Sequence, residues 1–446
     1  MKNLLFKAIS CGVLAISLLS SCAKDPKDDP SYLYNVNISL DYIDDSVIKM
    51  PESAVITVKN TVTGAVAEFK MTGTKGTAKV VAGLYDFSAT ATSAAEGDVF
   101  VYNGIKSGVK VVKDSWDESG TVSIPMTGSR SNQVVIKELY CTGCPKDDGS
   151  GSFSHGAYVI LYNNSEYEAD LSGIHFAFIQ PYNSNASNAD IVDGKLIYDG
   201  QGWIPAGSGC WTWGVEAPKL APGKQVVVAI SSAINNTTTY SQAPNLANAE
   251  YYAMYAPESQ WNNATYYPAP ADVIPSTHYL EPYIWGQGTA WTLSNTCPAF
   301  FIFVPTEDMT AFTSSTANVS YLGGKETAAN LRKKVSNSWV KDAIEVFNAD
   351  QSVNNKRFTS DLDAGSIALK SKLGYTLYRN VDKAKTEAIA TNKDKLVYNY
   401  AGGAEGTTDP SGIDAEASIK NGALIIYQDT NNSSNDFHIR KVSSLK

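Results

Sequence analysis

Three segments decide the fold of this chain: Val134-Val-Ile-Lys-Glu-Leu-Tyr140, Ala157-Tyr-Val-Ile-Leu-Tyr-Asn-Asn164 and Asp170-Leu-Ser-Gly-Ile-His-Phe-Ala-Phe178. Each is short and rich in β-branched and aromatic residues, and turn-forming residues such as Gly, Ser and Asn separate them. This composition indicates β-strands rather than helices. The segments therefore predict a large β domain over residues 132–446.

The composition of the whole chain also favours β-structure. Aromatic residues make up 11% of the 446 residues, and the 25 Tyr far outnumber the 14 Phe. Long stretches with helical periodicity are few. A chain of this length is sufficient for two domains and a sizeable core. We therefore expect an all-β protein with two domains.

A smaller β domain is predicted over residues 31–128. Tyr34-Asn-Val-Asn-Ile-Ser-Leu40 and Ala54-Val-Ile-Thr-Val-Lys59 alternate apolar and polar residues in the manner of half-buried strands. The Gly83-Leu-Tyr85 step, in which Gly opens a turn and Tyr anchors the next strand, resembles the edge of small Ig-like or prealbumin-like sandwiches. Such modules usually act as spacers or docking units, so the resemblance implies no chemistry here.

The large domain resembles a family of uncharacterised Bacteroidetes surface lipoproteins with a lamin-tail-like, Ig-like sandwich core. Besides the three opening segments, the blocks that carry this resemblance are Leu220-Ala-Pro-Gly-Lys-Gln-Val-Val-Val-Ala229, Lys356-Arg-Phe358, Asp361-Leu-Asp-Ala-Gly365, Gly374-Tyr-Thr-Leu-Tyr-Arg379 and Gln428-Asp-Thr-Asn-Asn-Ser-Ser-Asn-Asp-Phe437. The resemblance implies a lamin-tail-like β-sandwich with long loop insertions at about 179–300. It also implies an outer-membrane lipoprotein, of a family whose genes often lie beside those of TonB-dependent transport components, and it brings no catalytic residues.

The first thirty residues resemble a lipoprotein leader. Lys2 and Lys7 precede an apolar run that ends in Leu19-Ser-Ser-Cys22, a pattern similar to a bacterial lipobox. We therefore expect residues 1–21 to be a signal peptide and the cysteine to carry the lipid that holds the protein on a membrane. The apolar run is too short to span a bilayer.

The charged segment that follows is predicted to be an extended tether. Residues 22–30 contain Asp25 just before Pro26, and Asp28 and Asp29 between Pro26 and Pro30. Acidic residues just after a lipidated cysteine resemble the surface-export signal of Bacteroidetes lipoproteins, which favours the exterior face of the outer membrane. The alternative is a plain spacer that lifts the first domain off the lipid headgroups.

Charge and residue spacing exclude several functions. The formal net charge of −9 repels phosphate backbones, so we expect no nucleic-acid partner. The histidines lack the spacing of a metal site, and we expect neither a metal nor another cofactor. They are His155, His175, His278 and His438.

Two acidic patterns have functional alternatives that we consider weaker. Glu138, Asp342, Glu345, Asp361 and Asp363 could supply a carboxylate pair for glycoside hydrolysis, but solvated strand ends and salt bridges explain them more simply. Oxygen side chains at alternate positions of Asp429–Asp436 faintly resemble a calcium loop, but the Gly and Glu of that motif are missing, which favours an Asx-rich turn. We therefore predict no enzyme.

Four cysteines remain after the leader, and an even count in an exported protein permits two disulfides. They are Cys141, Cys144, Cys210 and Cys297. The Cys141-Thr-Gly-Cys144 spacing also suits a redox pair or half of a zinc site. No thioredoxin-like pattern surrounds it, so structural disulfides or inert thiols are favoured.

The segment from Tyr251 to Trp291 is the densest in aromatic residues. Rings with polar tips give a large contact area at low entropic cost and suit sugars, catecholates and macrocycles. The alternative is that the rings pin a long loop onto the sandwich as a small core. The ligand-binding hypothesis selects Trp261, Tyr266, Tyr267, Tyr283, Trp285 and Trp291.

One helix is predicted, at Lys325-Glu-Thr-Ala-Ala-Asn-Leu-Arg-Lys-Lys-Val335, because Gly324 precedes it and basic residues lie near its end.

Our functional expectation is a lipid-anchored outer-membrane surface protein that captures a ligand or docks a partner without catalysis. It would support TonB-dependent uptake of an iron complex or glycan, with a TonB-dependent receptor as partner. The alternative is a structural or adhesive surface protein built of stacked β-sandwich spacers.

Overall fold

The computed structural model describes residues 31–42, 50–95, 98–112, 121–130 and 132–446. The predicted leader, its cysteine and the tether lie outside these residues. The chain divides into two units, Met1–Ser131 and Asn132–Lys446. In the described residues of both, strands are the main regular secondary structure and helices are few and short, which confirms the all-β fold class. Within the described part of the chain, no helix has the length and apolar character needed to cross a bilayer.

The first unit is a curled sheet with the strand order β3-β2-β5-β6-β7-β1-β4. Its strands are β1 Tyr34–Tyr42, β2 Ser53–Asn60, β3 Val66–Thr72, β4 Lys75–Val80, β5 Gly83–Ala95, β6 Asp98–Val111 and β7 Thr121–Arg130. β1 pairs with β7 in parallel, and the other pairs are antiparallel. Because only Gly73 and Thr74 join β3 to β4, the two outer strands, the sheet has to curl.

Alternation of apolar and polar residues explains this sheet. Along β1 the side chains of Val36, Ile38 and Leu40 are buried, whereas their neighbours are more exposed. Phe87 and Tyr102, on β5 and β6, lie in the same core. One face of each strand therefore builds the core of this unit, and the other faces solvent.

The second unit contains many strands, several of them only two residues long. They are β8 Val134–Tyr140, β9 Cys144–Pro145, β10 Ser152–Phe153, β11 Tyr158–Asn163, β12 Ala169–Asp170, β13 His175–Phe178, β14 Ile191–Val192, β15 Lys195–Leu196, β16 Trp203–Ala206, β17 Gly209–Thr212, β18 Lys219–Leu220, β19 Gln225–Ala229, β20 Tyr252–Ala253, β21 Glu281–Ile284, β22 Ala299–Phe303, β23 Val319–Tyr321, β24 Leu331–Ser336, β25 Val340–Asn348, β26 Ile367–Leu369, β27 Thr376–Arg379 and β28 Phe437–Arg440.

Short helices connect some of these strands. The α-helices are α1 Met309–Ser314, α2 Lys383–Ala388, α3 Ala415–Lys420 and α4 Ser433–Asp436, and the 3₁₀ turns are Asn236–Thr238, Ser276–His278, Leu322–Gly324, Ala328–Asn330, Asn337–Trp339 and Ala390–Asn392. Each α-helix follows an Asp or Asn whose side chain accepts a backbone N–H of the first turn. These N-cap residues are Asp308, Asp382, Asp414 and Asn432.

Two six-stranded sheets form the sandwich of the second unit. The first has the order β20-β19-β11-β8-β27-β28, and the second has the order β21-β17-β13-β22-β25-β26. Their facing sides share one large core, to which Leu139 and Val159 contribute from the first sheet and Phe176, Phe300 and Ile302 from the second. A third sheet, β16-β24-β23, packs on the second sheet, where Ile204 and Val335 share an apolar cluster with Phe301.

The outer faces of the central strands of both main sheets are also buried. Every residue of β8, β11, β13 and β22 is buried. Tyr162 lies against Tyr427 on the outer side of the first sheet, and Phe303 lies against Trp339 on the outer side of the second. Burial on both faces explains why these strands read as continuous apolar runs instead of alternating ones.

The predicted helix at 325–335 is wrong. Only Ala328–Asn330 forms a 3₁₀ turn, and the rest of the segment enters β24, which pairs with β16 and β23. Arg332 is completely buried in an ion pair with Asp190, and Val335 lies in the apolar cluster on the second sheet. These tertiary contacts override the helical propensity of the Lys, Ala and Glu residues.

The predicted insertion at 179–300 contains both irregular chain and sheet strands. β17 and β21 belong to the second sheet, and β19 is a paired strand of the first. The irregular stretches between them cover the outer face of the first sheet with Leu246 and Ile274.

A buried guanidinium group joins β27 to the C-terminal segment. The Nη atoms of Arg379 contact the carboxylates of Asp342, Asp429 and Asp436, and its Nε donates to the carbonyl of Ile136 at 2.7 Å. Burial raises the pKa of Asp436 to about 7, with the neighbouring Asp429 as a smaller cause, although Arg379 opposes this shift.

We predict that Asp436→Asn becomes more stable relative to the natural chain as the pH rises from about 4 to about 7. The folded protein holds a proton on Asp436 that the unfolded chain releases near its ordinary pKa, so ionisation destabilises the fold across this window. Thermal unfolding of both proteins from pH 4 to 8 measures the difference.

The comparison uses the difference between the two curves because other groups titrate in the same range. Burial lowers the pKa of His438 to about 3, so this residue makes the fold more stable as the pH rises, whereas Asp436 makes it less stable. A difference in melting temperature that stays constant from pH 4 to 8 would contradict the raised pKa.

Candidate functional site

The aromatic residues selected from the sequence do not form one surface. Trp261 is fully buried and packs against Trp211 with ring centroids 5.3 Å apart. Trp285 packs on Phe312 on the outer side of the second sheet, and its indole N–H donates to the carbonyl of Gly207. The expectation that Trp261 and Trp285 hold flat faces toward a ligand is wrong, because both rings are structural core.

The remaining residues of the hypothesis separate into two groups. Tyr283 is half-buried beside His175, with ring centroids 5.9 Å apart. Tyr266, Tyr267 and Trp291 all line one cavity of about 500 Å³. The structure thus brings together half of the six predicted residues.

The cavity lies at one end of the sandwich of the second unit. Cys141 follows β8, Ala157 precedes β11 and Ile230 follows β19, at the places where these three neighbouring strands end or begin. The second sheet contributes the chain after β13, with Asn183, and the chain before β22, with Leu293. The pairing of these strands therefore fixes the positions of the lining residues that both sheets contribute.

One part of the lining is buried and apolar. Cys141, Ala157, Ile230 and Leu293 are all buried and border the cavity, and we call them the apolar floor. Their side chains cannot hydrogen-bond a ligand strongly, so only an apolar group gains free energy by covering them.

Another part of the lining is polar. Besides the exposed Asn183 and Asn295, it includes the partly exposed Ser154, Ser231 and Thr292 and the buried Ser294. The Oδ1 atom of Asn183 accepts hydrogen bonds from Ser294 Oγ at 2.5 Å and from Thr296 Oγ1 at 3.2 Å. Among these, we call Asn183, Ser294 and Asn295 the polar rim.

Aromatic side chains form one wall. Tyr266 meets His155 edge to face, with ring centroids 5.3 Å apart. Behind it, Tyr267 Oη donates to the carbonyl of Trp291 at 2.8 Å and accepts from the backbone N–H of the same residue at 3.1 Å. This reciprocal pair holds the Tyr266 segment against the sandwich, so the wall is preformed.

The cavity lining is uncharged. It contains no Lys, Arg, Asp or Glu side chain among the described residues. Partial burial lowers the pKa of His155, so its ring is neutral at neutral pH. The arrangement therefore suits a neutral polar ligand with an apolar part, and it offers no counter-ion to a charged one.

The four cysteines are all buried and free. The predicted disulfides among Cys141, Cys144, Cys210 and Cys297 are therefore not formed in this structure. Burial raises the pKa of the Cys141 and Cys210 thiols, which makes both inert toward oxidation. The interpretation as inert thiols describes the structure better than either the disulfide or the redox alternative.

The clustered acids are held in structural contacts. Glu345 accepts hydrogen bonds from the side chain and backbone N–H of Arg357, and Asp363 accepts from the backbone of Ser433. Glu138 accepts from Tyr158 Oη at 2.5 Å. None of these acids borders the cavity.

The calcium-like segment forms the short helix α4 after its cap Asn432, and two of its carboxylates face Arg379. Among the described residues, no group of three or more His, Cys, Asp or Glu side chains could hold a metal ion.

Comparison with known proteins gives a family match for part of the chain. Residues 221–396 match the family described as "Protein of unknown function (DUF4876)". No curated protein matches the sequence. The matched range includes Ile230, Tyr266 and Trp291 but not Asn183 or His155, so it covers part of the cavity.

Two solved structures are similar. A DUF4876 family protein from Bacteroides thetaiotaomicron aligns with a TM-score of 0.51 and 19% identity, over 91% of this chain and 94% of that chain. A "putative adhesin" from Bacteroides ovatus aligns with a TM-score of 0.20 and 15% identity, over 33% of this chain and 67% of that chain. The first likeness shows the fold alone, and the second is too weak to inform fold or function.

These findings confirm the resemblance to a family of unknown function represented in Bacteroides. The lipid anchor and the lamin-tail-like character of the core stay predictions. Sequence reasoning missed Asn183, Ser231 and Ser294 as cavity residues, because single Asn and Ser residues in irregular chain carry no spacing signal. A run rich in Asn and Ser between two buried strands was the available hint.

We predict that Trp261→Ala lowers the free energy of unfolding by about 3–5 kcal/mol, because it removes a fully buried ring from the main core. Tyr167, which is 75% exposed, supplies the matched control. Tyr167→Ala should change the free energy of unfolding by less than about 0.5 kcal/mol. Guanidinium unfolding followed by far-ultraviolet circular dichroism measures both. Similar small losses in both variants would mean that Trp261 is not core.

We also predict the reactivity of the thiols. In the native protein, iodoacetamide should leave Cys141, Cys144, Cys210 and Cys297 unmodified, because all four are buried. Cys141 borders the cavity, but burial raises the pKa of its thiol and so keeps it in the unreactive protonated form. After denaturation without a reductant, all four should be alkylated. Peptide mapping by mass spectrometry checks this, and a peptide pair joined through two of these cysteines would contradict it.

Proposed function

We propose that the protein captures a neutral glycan in the cavity of its second unit and works as a lipid-anchored protein on the outer face of the outer membrane. The observation that carries this proposal is the cavity itself, with an aromatic wall, a polar rim and no charged side chain. Sugars combine apolar ring faces with many hydroxyl groups, and such a lining offers partners to both.

The lining also favours a glycan over an iron complex. Ferric complexes that are taken up as nutrients commonly carry charge, and an uncharged, partly buried site gives no compensating partner for it. A neutral sugar has no such cost. The glycan alternative of the sequence prediction is therefore the better supported one.

The location and partner in this proposal derive from the sequence. The lipobox at Leu19-Ser-Ser-Cys22 and the acidic tether support anchoring at the cell surface. A tether of this kind raises the local concentration of a captured ligand near a membrane receptor. The TonB-dependent receptor is the partner to which the glycan would pass.

We predict that Tyr266→Ala weakens glycan binding by the purified full chain at least about tenfold, because it removes the wall of the cavity. A panel of neutral oligosaccharides on an array identifies a ligand, and calorimetry then gives its dissociation constant. Tyr255 is half-buried in the same segment but borders no part of the cavity, so Tyr255→Ala is the matched control. Equal affinity of the two variants, or binding of no glycan, would overturn the proposal.

A further inference from the structure

The cavity combines two features that a plain sugar does not satisfy together. An apolar group of the ligand would pack favourably against the apolar floor, which consists of Cys141, Ala157, Ile230 and Leu293. The amide of Asn183, on the rim, presents a hydrogen-bond donor. The apolar ring face of an unmodified hexose suits the aromatic wall. The edge of the same ring, however, would place hydroxyl groups over the floor, where they lose water without gaining partners.

The donor character of Asn183 follows from its neighbours. Ser294 Oγ accepts the backbone N–H groups of Cys297 at 3.0 Å and Thr296 at 3.3 Å. Its own proton is therefore available to Asn183 Oδ1, which it reaches at 2.5 Å. With Oδ1 fixed in this way, the Nδ2 group of Asn183 is directed away from Ser294 and can donate to an acceptor in the cavity.

We propose that the cavity selects sugars that carry an N-acetyl group. The methyl of the acetamido group covers the apolar floor, and its carbonyl oxygen accepts a hydrogen bond from Asn183 Nδ2. This inference rests on the proposed function and adds the class of sugar to it. Asn183 is then a specificity-determining residue whose orientation is set by Ser294 and Thr296.

Two trisaccharides that differ only in their acetamido groups test the inference. The full chain should bind the β-1,4-linked trisaccharide of N-acetylglucosamine at least about tenfold more tightly than the β-1,4-linked trisaccharide of glucose. Burial of the methyl and one additional hydrogen bond account for a ratio of this size. Calorimetry on the natural chain gives the ratio without any variant.

A pair of charge-matched variants tests the role of Asn183. Asn183→Asp replaces the donor with an acceptor and should reduce the preference for the acetylated sugar to about threefold or less. Asn185→Asp adds the same charge two residues away, on an exposed side chain outside the cavity lining, and should keep the ratio. Melting curves verify that both variants fold.

The outcomes separate the two proposals. Equal binding of the two trisaccharides, or an unchanged ratio in Asn183→Asp, overturns the selection of N-acetyl groups. Binding of other neutral glycans without acetamido groups, and of neither trisaccharide, overturns it as well but leaves glycan capture standing. Binding of no glycan at all overturns both.

Discussion

Burial of both faces of the central strands of the two main sheets is the constraint on which the second unit depends. Strands such as β8 and β22 have no exposed residue, so each outer face needs a further layer of chain to exclude water. The third sheet with α1 covers the second sheet, and the chain at 233–274 together with the segment around Tyr427 covers the first. Many of the aromatic residues pack in these covering layers, and the role of the tryptophans is mainly structural.

The same constraint places the cavity. Where β8 and β19 end and β11 begins, no strand continues the layer, and the connecting segments meet around an uncovered space. The floor keeps the apolar character of the core, whereas the rim takes the polar side chains of the loops. This geometry therefore gives a site with an apolar floor and a polar rim. Such a site suits a neutral ligand better than a charged one.

The strands of both units were predictable because their periodicity and turn residues are local signals. The segments Val134–Tyr140 and Ala157–Asn164 became β8 and β11 almost to the residue. The helix expected at 325–335 failed because Arg332 and Val335 take their partners from distant chain. The density of aromatic residues predicted three of the residues that line the cavity. Which rings border a cavity, however, depends on packing between segments more than a hundred residues apart. No sequence pattern marked Asn183 as a cavity residue.

In the proposed function the ligand binds at the end of the sandwich and at no other surface of the second unit. A crystal structure of the full chain grown with the trisaccharide of N-acetylglucosamine tests this location most directly. We predict sugar density between Tyr266 and Asn183, with the acetamido methyl of one residue on Ile230 and Leu293. Density elsewhere, for instance in the shallow groove beside Tyr255 and Tyr279, with the cavity filled only by solvent, would contradict the claim.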